Sequence, residues 1–197
     1  MELLLIRHGQ AERPGGRQRD IPLAEAGRDE AFLTGRMLKD AGITRLYTSP
    51  LSRAWQTAAI IGGEIGREPV SDKNLMERSH GMFDGLTREE LASQHPEELA
   101  RIRLRPLEAA AGGESFDDVV LRVEAFLGAH IEGFDDQDLV AVVSHGNFMN
   151  ISLMRVLQIP KNLYPLFHFD TASVSSVAYL GQGQFRLRYV NRLPGRF

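Results

Sequence analysis

The sequence predicts an α/β fold: a three-layer sandwich with a mainly parallel central sheet, helices on both faces and a small helical cap insertion. Two continuous apolar runs, at residues 3–6 and 139–143, are typical of strands buried between two helical layers. Each run stops at a polar cluster, and helical patterns separate the predicted strands. This alternation along the chain favours an open sheet covered by helices on both sides.

The remaining elements are predicted from their local patterns. Residues 24–41 form an amphipathic helix with Gly42 as its C-cap. Ser49 is the N-cap of a helix that runs to about residue 61, which places Arg53 in its first turn. Further elements are strands at 45–48 and 69–71, a helix from 114 or 115 to before 133, and a hairpin of strands at 173–180 and 184–190.

The length of 197 residues suits one domain, and we expect residues 1–197 to form a single one. Between a loop at 74–86 and a Gly-containing segment at 109–113, one or two short helices begin with the capping-box pattern Thr87-x-x-Glu90. These helices interrupt the regular order of strands and helices. We therefore interpret residues from about 82 to about 112 as an inserted cap.

The composition narrows the range of functions. Lys and Arg number 23 against 26 Asp and Glu, and the net charge of −3 does not favour nucleic acid or an anionic membrane as a partner. The absence of cysteine excludes disulfides, thiolate nucleophiles and Cys-ligated metals. No apolar stretch approaches the roughly 20 residues that span a bilayer, and no secretion signal follows Met1. We expect a cytoplasmic protein that acts on a small molecule.

Charged and polar side chains follow the predicted strands at the points where the strands end. Arg7 and His8 follow the first strand, and His145 follows the second apolar run. Arg53 lies just beyond a third strand. The carboxyl ends of parallel strands meet at one edge of a sheet, so these side chains are expected to share a crevice. Arginine binds phosphate oxygens and a neutral imidazole can attack phosphorus, so the crevice favours phosphoryl transfer.

Five segments resemble, in order, the motifs of one protein family. Leu-Ile-Arg-His-Gly-Gln at residues 5–10 is similar to the signature of the histidine phosphatase superfamily, in its phosphoglycerate mutase-like branch. The other similar segments are the arginine segment at 48–58, the acid-bearing loop from Leu75-Met76-Glu77-Arg78 to Gly85, Gly112-Gly113-Glu114-Ser115 and Val142-Val143-Ser144-His145-Gly146. Ordered agreement over several segments is far more specific than a lone Arg-His-Gly.

The resemblance implies a role for each matching residue. His8 would become the phosphohistidine, and Glu77 would donate and recover a proton. The implied phosphate- and substrate-binding residues are Arg7, Gln10, Arg53, His145 and Gly146. A carboxylate that acts as an acid near neutral pH needs a raised pKa, which burial among the apolar neighbours of Glu77 would provide. The resemblance implies no cofactor.

One part of the family pattern is missing. Family members commonly carry an asparagine several residues after the histidine, whereas residues 13–20 here read Arg-Pro-Gly-Gly-Arg-Gln-Arg-Asp in a shortened loop. Arg13, Arg17 or Gln18 could replace that contact, and the sequence does not choose among them. Sugar phosphates, phosphoglycerates, a ribazole phosphate and nucleotides all stay open as substrates.

The sequence thus predicts a phosphohydrolase that acts on a small phosphomonoester. A phosphoglycerate mutase-type phosphomutase is the alternative, although such mutases resemble longer chains that enclose their substrate more fully. A phosphate-binding module without catalysis is a further alternative, which the intact set of motif residues disfavours.

Two other features were weighed. Glu77 and His80 have the Glu-x-x-His spacing of a carboxylate-bridged metal site, but such sites need two copies on long helices. We therefore predict no metal and a metal-independent reaction. The terminal hairpin could supply the interface of a homodimer.

Overall fold

In the computed structural model of the protein, the described residues are 1–12, 20–130, 133 and 135–195. A six-stranded sheet with the strand order β3-β2-β4-β1-β5-β6 forms the centre. The strands are β1 Glu2–Arg7, β2 Arg45–Thr48, β3 Val70–Ser71, β4 Leu139–Ser144, β5 Val174–Gly181 and β6 Gln184–Arg192. The first four of these strands pair in parallel, and β5 and β6 pair antiparallel. The predicted α/β fold with a mainly parallel sheet is confirmed.

Helices cover both faces of the sheet. They are α1 Glu25–Leu38, α2 Ser52–Ile65, α3 Arg88–Gln94, α4 Pro96–Leu104, α5 Phe116–His130 and α6 Gly146–Val156. Alternate residues of β1 point to opposite faces: Leu3 and Leu5 join the core beneath α5 and α6, whereas Leu4 and Ile6 join the core beneath α1 and α2. This alternation explains why the strand is apolar at every position.

The register of the sheet brings three strand ends side by side. Arg7 pairs with Ser144 across β1 and β4, and Thr48 pairs with Val143 across β2 and β4. The segments that follow these strands therefore begin at the same edge of the sheet. This edge is the carboxyl end, where open parallel sheets place their functional sites.

The boundaries of α1 and α2 differ from the prediction, and α2 continues to Ile65 instead of ending near residue 61. Helix α1 ends at Leu38 with Lys39 as its C-cap, so Gly42 is not the cap; with a φ of 78° it lies in the turn that leads to β2. Helix α2 begins at Ser52 with Leu51 as its N-cap, not Ser49. The predicted first-turn position of Arg53 nevertheless holds, because Arg53 is the second residue of α2.

The segment between β3 and α5 contains α3 and α4, which pack around a cluster of their own formed by Phe83, Leu91, Leu99 and Ala110. The capping box at the start of α3 is present: the Glu90 N–H donates to Thr87 Oγ1 and the Thr87 N–H donates to Glu90 Oε2. The boundaries of a cap over about 82–112 stay a prediction. Within the described part of the chain, no helix is both long and apolar enough to cross a membrane.

Candidate active site

His8 lies directly beyond β1, at the edge of the sheet. Its N–H donates to the carbonyl of Ser144 at 2.9 Å, which continues the pairing of β1 with β4 by one residue. The next residue must be glycine, since a Cβ on Gly9 would lie 2.3 Å from the carbonyl oxygen of Gly27 in α1. The chain therefore turns tightly against α1 and leaves the His8 ring facing the neighbouring strand ends.

The hydrogen bonds of His8 define its tautomer. Nδ1 lies 2.7 Å from the carbonyl oxygen of Gly9, which can only accept, so Nδ1 carries the proton. Nε2 is then unprotonated, and its lone pair accepts a hydrogen bond from the Nε–H of Arg53 at 3.1 Å. Burial and the nearby guanidinium groups lower the pKa of His8 to about 3. The ring is neutral at physiological pH, with its nucleophilic nitrogen directed at Arg53.

Two arginines place positive charge around Nε2. Arg53 is only 6% exposed, and burial lowers its pKa while the attraction of Glu77 opposes that change. Arg7 donates from Nη1 to the carbonyl oxygen of Phe169 at 2.5 Å, and its buried Nε has no hydrogen-bond partner among the described residues. Two guanidinium groups so close to each other are unfavourable unless an anion lies between them.

His145 is fully buried at the end of β4, and its ring centroid lies 5.0 Å from that of His8. Its Nε2 is 2.8 Å from Ser49 Oγ, and its buried Nδ1 contacts no hydrogen-bonding group of the described chain. Burial and the surrounding positive charges lower the pKa of His145 well below its usual value. If Nε2 accepts from Ser49, Nδ1 carries the proton and is a spare donor for an oxyanion beside His8.

Gly146 begins α6 next to this pair. A Cβ at Gly146 would lie 3.8 Å from Arg7 Nε, so its backbone runs alongside the guanidinium. The next two backbone N–H groups of α6 donate to Glu77: Asn147 to Oε2 at 3.2 Å and Phe148 to Oε1 at 3.0 Å. The helix terminus thus holds a carboxylate of the protein itself.

Glu77 also accepts from the N–H of Arg78 at 2.8 Å. Burial raises the pKa of Glu77, and this effect exceeds the lowering by the three backbone donors and by Arg53. A raised pKa favours the protonated acid, as the sequence led us to expect for a proton donor. The positive charge of Arg53, whose Nε–H donates to His8, acts on the Glu77 carboxyl group in the opposite direction to burial.

Other predicted residues have different outcomes. Gln10 uses its backbone to anchor the turn, with its N–H donating to Glu30 Oε2 at 2.8 Å and its carbonyl accepting from Ala24 at 2.9 Å. The role of its side chain in substrate binding stays a prediction. The three candidates for the missing asparagine contact lie outside the described residues; they are Arg13, Arg17 and Gln18.

Three important residues were not anticipated. Ser49 was interpreted only as a helix cap, yet its hydroxyl contacts His145. Arg78 is 4% exposed and donates to the main-chain carbonyls of Pro106, Glu108 and Glu114 at 2.7, 2.7 and 2.8 Å. Arg122 of α5, which the sequence analysis does not single out, bonds to the loop that carries Glu77. Only the position of Arg78 next to Glu77 gave any signal in the sequence.

The chemistry available here is that of a buried anion site. It combines a neutral imidazole with a free lone pair, two guanidinium groups, a second imidazole and a carboxyl group with a raised pKa. Throughout the described residues, no three His, Asp or Glu side chains form a group that could hold a metal ion.

Relatives of known sequence match most of the chain. Bifunctional protein Rv2228c of Mycobacterium tuberculosis is 34% identical over 96% of the chain, but the chain spans only about half, 53%, of that relative. Phosphoserine phosphatase 1 of Hydrogenobacter thermophilus is 31% identical over 90% of the chain and 86% of the relative. 2,3-bisphosphoglycerate-dependent phosphoglycerate mutase 2 of Gloeobacter violaceus is 33% identical over 78% and 74%, respectively.

Solved structures share the fold. The native structure of mycobacterial glucosyl-3-phosphoglycerate phosphatase Rv2419c superimposes with a TM-score of 0.86 at 25% identity, covering 98% of this chain and 99% of the other. The profile of the histidine phosphatase superfamily (branch 1) matches residues 3–192. The strand-end residues that the sequence singled out lie within this match, and the chain belongs to the histidine phosphatase superfamily.

Proposed function

We propose that the protein is a metal-independent phosphomonoesterase that forms a phosphohistidine on Nε2 of His8. The observation that carries this proposal is the tautomer of His8: Nδ1–H is directed at the Gly9 carbonyl, and the Nε2 lone pair faces Arg53. A neutral imidazole with its lone pair beside guanidinium groups is suited to attack a bound phosphate. The named phosphatases among its relatives support the same activity.

In the first step, Nε2 of His8 attacks phosphorus and the bond between phosphorus and the ester oxygen breaks. The electron pair of that bond goes to the leaving oxygen, which takes the proton of the Glu77 carboxyl group. Arg7, Arg53 and the Nδ1–H of His145 stabilise the charge on the phosphoryl oxygens. Nδ1–H of His8 keeps its bond to Gly9, which stabilises the positive charge on the phosphorylated ring.

In the second step, water attacks the phosphorus of the phosphohistidine. The Glu77 carboxylate takes a proton from that water, and the bond between phosphorus and Nε2 breaks. The electron pair returns to Nε2, so His8 is again neutral and Glu77 is again protonated. The α6 N–H groups of Asn147 and Phe148 stabilise the carboxylate while it is ionised.

Phosphate release measured on p-nitrophenyl phosphate, with a chelator present, tests the nucleophile and the metal independence together. We expect His8→Ala to lower kcat by about 10⁴-fold or more, because no other group replaces the nucleophile. A His8→Ala variant with unchanged activity, or a native enzyme that the chelator inactivates, would contradict the proposal in this form.

Two substrates whose leaving groups differ in basicity test whether Glu77 is the proton donor. p-Nitrophenolate leaves readily as an anion, whereas the more basic phenolate of phenyl phosphate needs a proton. We therefore expect Glu77→Gln to lower kcat on phenyl phosphate by about 100-fold and on p-nitrophenyl phosphate far less.

A phosphomutase is the second candidate, because a phosphoglycerate mutase also lies among the relatives. Mutase activity requires that the phosphoryl group returns from His8 to a bound alcohol instead of to water. Incubation with ³²P-labelled phosphoglycerate and unlabelled acceptor separates the two: labelled free phosphate indicates hydrolysis, and labelled isomer indicates a mutase.

A further inference from the structure

Glu77 lies on a loop whose position depends on a side chain from a distant helix. Arg122 of α5 donates from Nη1 to the carbonyl oxygens of Asn74 and Met76, at 2.7 and 2.8 Å. Its Nη2 lies 3.4 Å from the carbonyl oxygen of Glu77 itself. Three main-chain carbonyls before and at the acid are thus gathered around one guanidinium group.

The same arginine holds the loop beyond Glu77 through an ion pair. Arg122 bonds to Glu114 in a bidentate manner, with Nε at 2.7 Å from Oε1 and Nη2 at 2.9 Å from Oε2. Glu114 Oε2 in turn accepts from the N–H of Ser79 at 2.8 Å. Both partners are largely shielded from water, with side-chain exposures of 18% and 25%, so this pair is stronger than an ordinary surface pair.

Arg122 also contacts Phe148, whose backbone N–H is bonded to the Glu77 carboxyl group. Its guanidinium lies over the Phe148 ring, 5.5 Å from the centroid. The backbone N–H of Phe148 donates to Glu77 Oε1. One side chain thus touches the loop that carries the carboxyl group and the helix start that the carboxyl group is bonded to.

We propose that Arg122, through its ion pair with Glu114, is a positioning residue that sets the place of the Glu77 carboxyl group relative to the leaving oxygen. The inference rests on the proposed role of Glu77 as proton donor. Residues 76–80 belong to no helix or strand, so no hydrogen-bond ladder of the backbone fixes them. Proton transfer is sensitive to distances of a fraction of an ångström, so such a loop needs an external anchor.

The test compares phenyl phosphate with p-nitrophenyl phosphate in Arg122→Gln. A misplaced acid slows only the step that needs its proton, so we expect kcat on phenyl phosphate to fall about tenfold more than kcat on p-nitrophenyl phosphate. A general loss of structure would lower both equally. Arg122→Lys keeps the charge but loses the bidentate geometry, and it should fall between the native protein and Arg122→Gln.

Arg155→Gln is the matched control. Arg155 pairs with Glu124 at 2.8 Å and so links α6 to α5, but this pair includes no residue of the acid loop, and Arg155 is 46% exposed. We expect this variant to leave unchanged the ratio of kcat on phenyl phosphate to kcat on p-nitrophenyl phosphate. If it lowers the ratio as Arg122→Gln does, the effect belongs to α5–α6 packing and the proposal fails.

Glu77→Gln separates the two proposals. If Glu77→Gln lowers the ratio but Arg122→Gln and Arg122→Lys do not, the positioning role is wrong while the acid role survives. If Glu77→Gln itself leaves the ratio unchanged, Glu77 is not the proton donor and both proposals fail. If Arg122→Gln does not fold, the ratio in Arg122→Lys decides between these outcomes.

Discussion

The two halves of the candidate site are held in place by different kinds of structure. His8 and His145 directly follow β1 and β4, whose parallel pairing sets the distance between them. Glu77 lies on a loop without a backbone ladder. The side chain of Arg78 ties that loop to the carbonyls of Pro106 and Glu108, and the side chain of Arg122 ties it to α5. The proposed phosphate pocket, formed by Arg7, His8, Arg53 and His145, is therefore positioned by the sheet, whereas Glu77, the proposed acid, is positioned by side-chain contacts.

The two regions also differ in how their charges are balanced. In the phosphate pocket, Arg7 and Arg53 lie close together beside neutral histidines, an arrangement that favours binding an anion over stability of the free protein. In the acid loop, Arg78 and Arg122 are surrounded by carbonyl oxygens, and Arg122 by a carboxylate too. Substitutions of arginines in the phosphate pocket should therefore lower activity more than stability. Substitutions of arginines at the acid loop, such as Arg78, should lower stability more.

The largest expected effect is on activity in the phosphate pocket. Arg53→Met should lower kcat/KM on p-nitrophenyl phosphate by about 10²–10³-fold, because the transferred phosphoryl group loses a charged donor. Its free energy of unfolding should change by only about 1 kcal/mol, because the variant removes a buried charge that lies near Arg7. Urea denaturation monitored by circular dichroism measures the second quantity. If Arg53→Met greatly lowered stability without lowering activity, Arg53 would serve the structure and not the bound phosphoryl group.

The next effect is on stability in the acid loop. Arg78→Met should lower the free energy of unfolding by about 3 kcal/mol, because the buried Arg78 guanidinium makes three hydrogen bonds to main-chain carbonyls that the variant loses. Arg105→Met is the control: Arg105 is exposed and, among the described residues, its side chain pairs only with Glu108, so its loss should cost about 0.5 kcal/mol or less. Equal costs for both variants, measured by urea denaturation, would show that Arg78 does not anchor the loop.

The smallest effect is the opposite pH dependence of the two regions. The pKa of His8 is about 3 in the folded protein against 6.5 in the unfolded chain, so the unfolded chain binds the extra proton and stability falls as the pH drops below 6.5. At pH 5 this loss amounts to about 2 kcal/mol, and His8→Gln should abolish it. The folded pKa of Glu77 is raised above 4.5, so its contribution to stability is instead lost as the pH rises through that folded pKa.

Urea denaturation of the native protein, His8→Gln and Glu77→Gln at pH 5 and pH 7 checks both signs. The quantity compared is the free energy of unfolding of each variant minus that of the native protein. For His8→Gln this difference should be more positive at pH 5 than at pH 7, and for Glu77→Gln it should be more positive at pH 7 than at pH 5. A native protein whose stability has the same pH slope as the His8→Gln variant would show that His8 is not held in its neutral form.

The sequence by itself determined where the main strands lie and which polar and charged residues follow their carboxyl ends. The apolar runs at 3–6 and 139–143 required burial on both faces, and a parallel sheet places the residues that follow them at one edge. These are local patterns, so a single sequence suffices to interpret them. The family motifs added Glu77, which no strand end would have indicated.

Only the tertiary structure decided which groups are neutral and what holds the acid. Nε2 of His8 accepts a hydrogen bond from Arg53, 45 residues away, and Nε2 of His145 contacts the hydroxyl of Ser49, 96 residues away. The carbonyl of Asn74 that binds Arg122 lies 48 residues away in the sequence, whereas the Glu114 carboxylate lies eight residues away, just before α5 begins. Such contacts form between segments that only the folded chain brings together, so local patterns of charge and hydrophobicity carry no record of them.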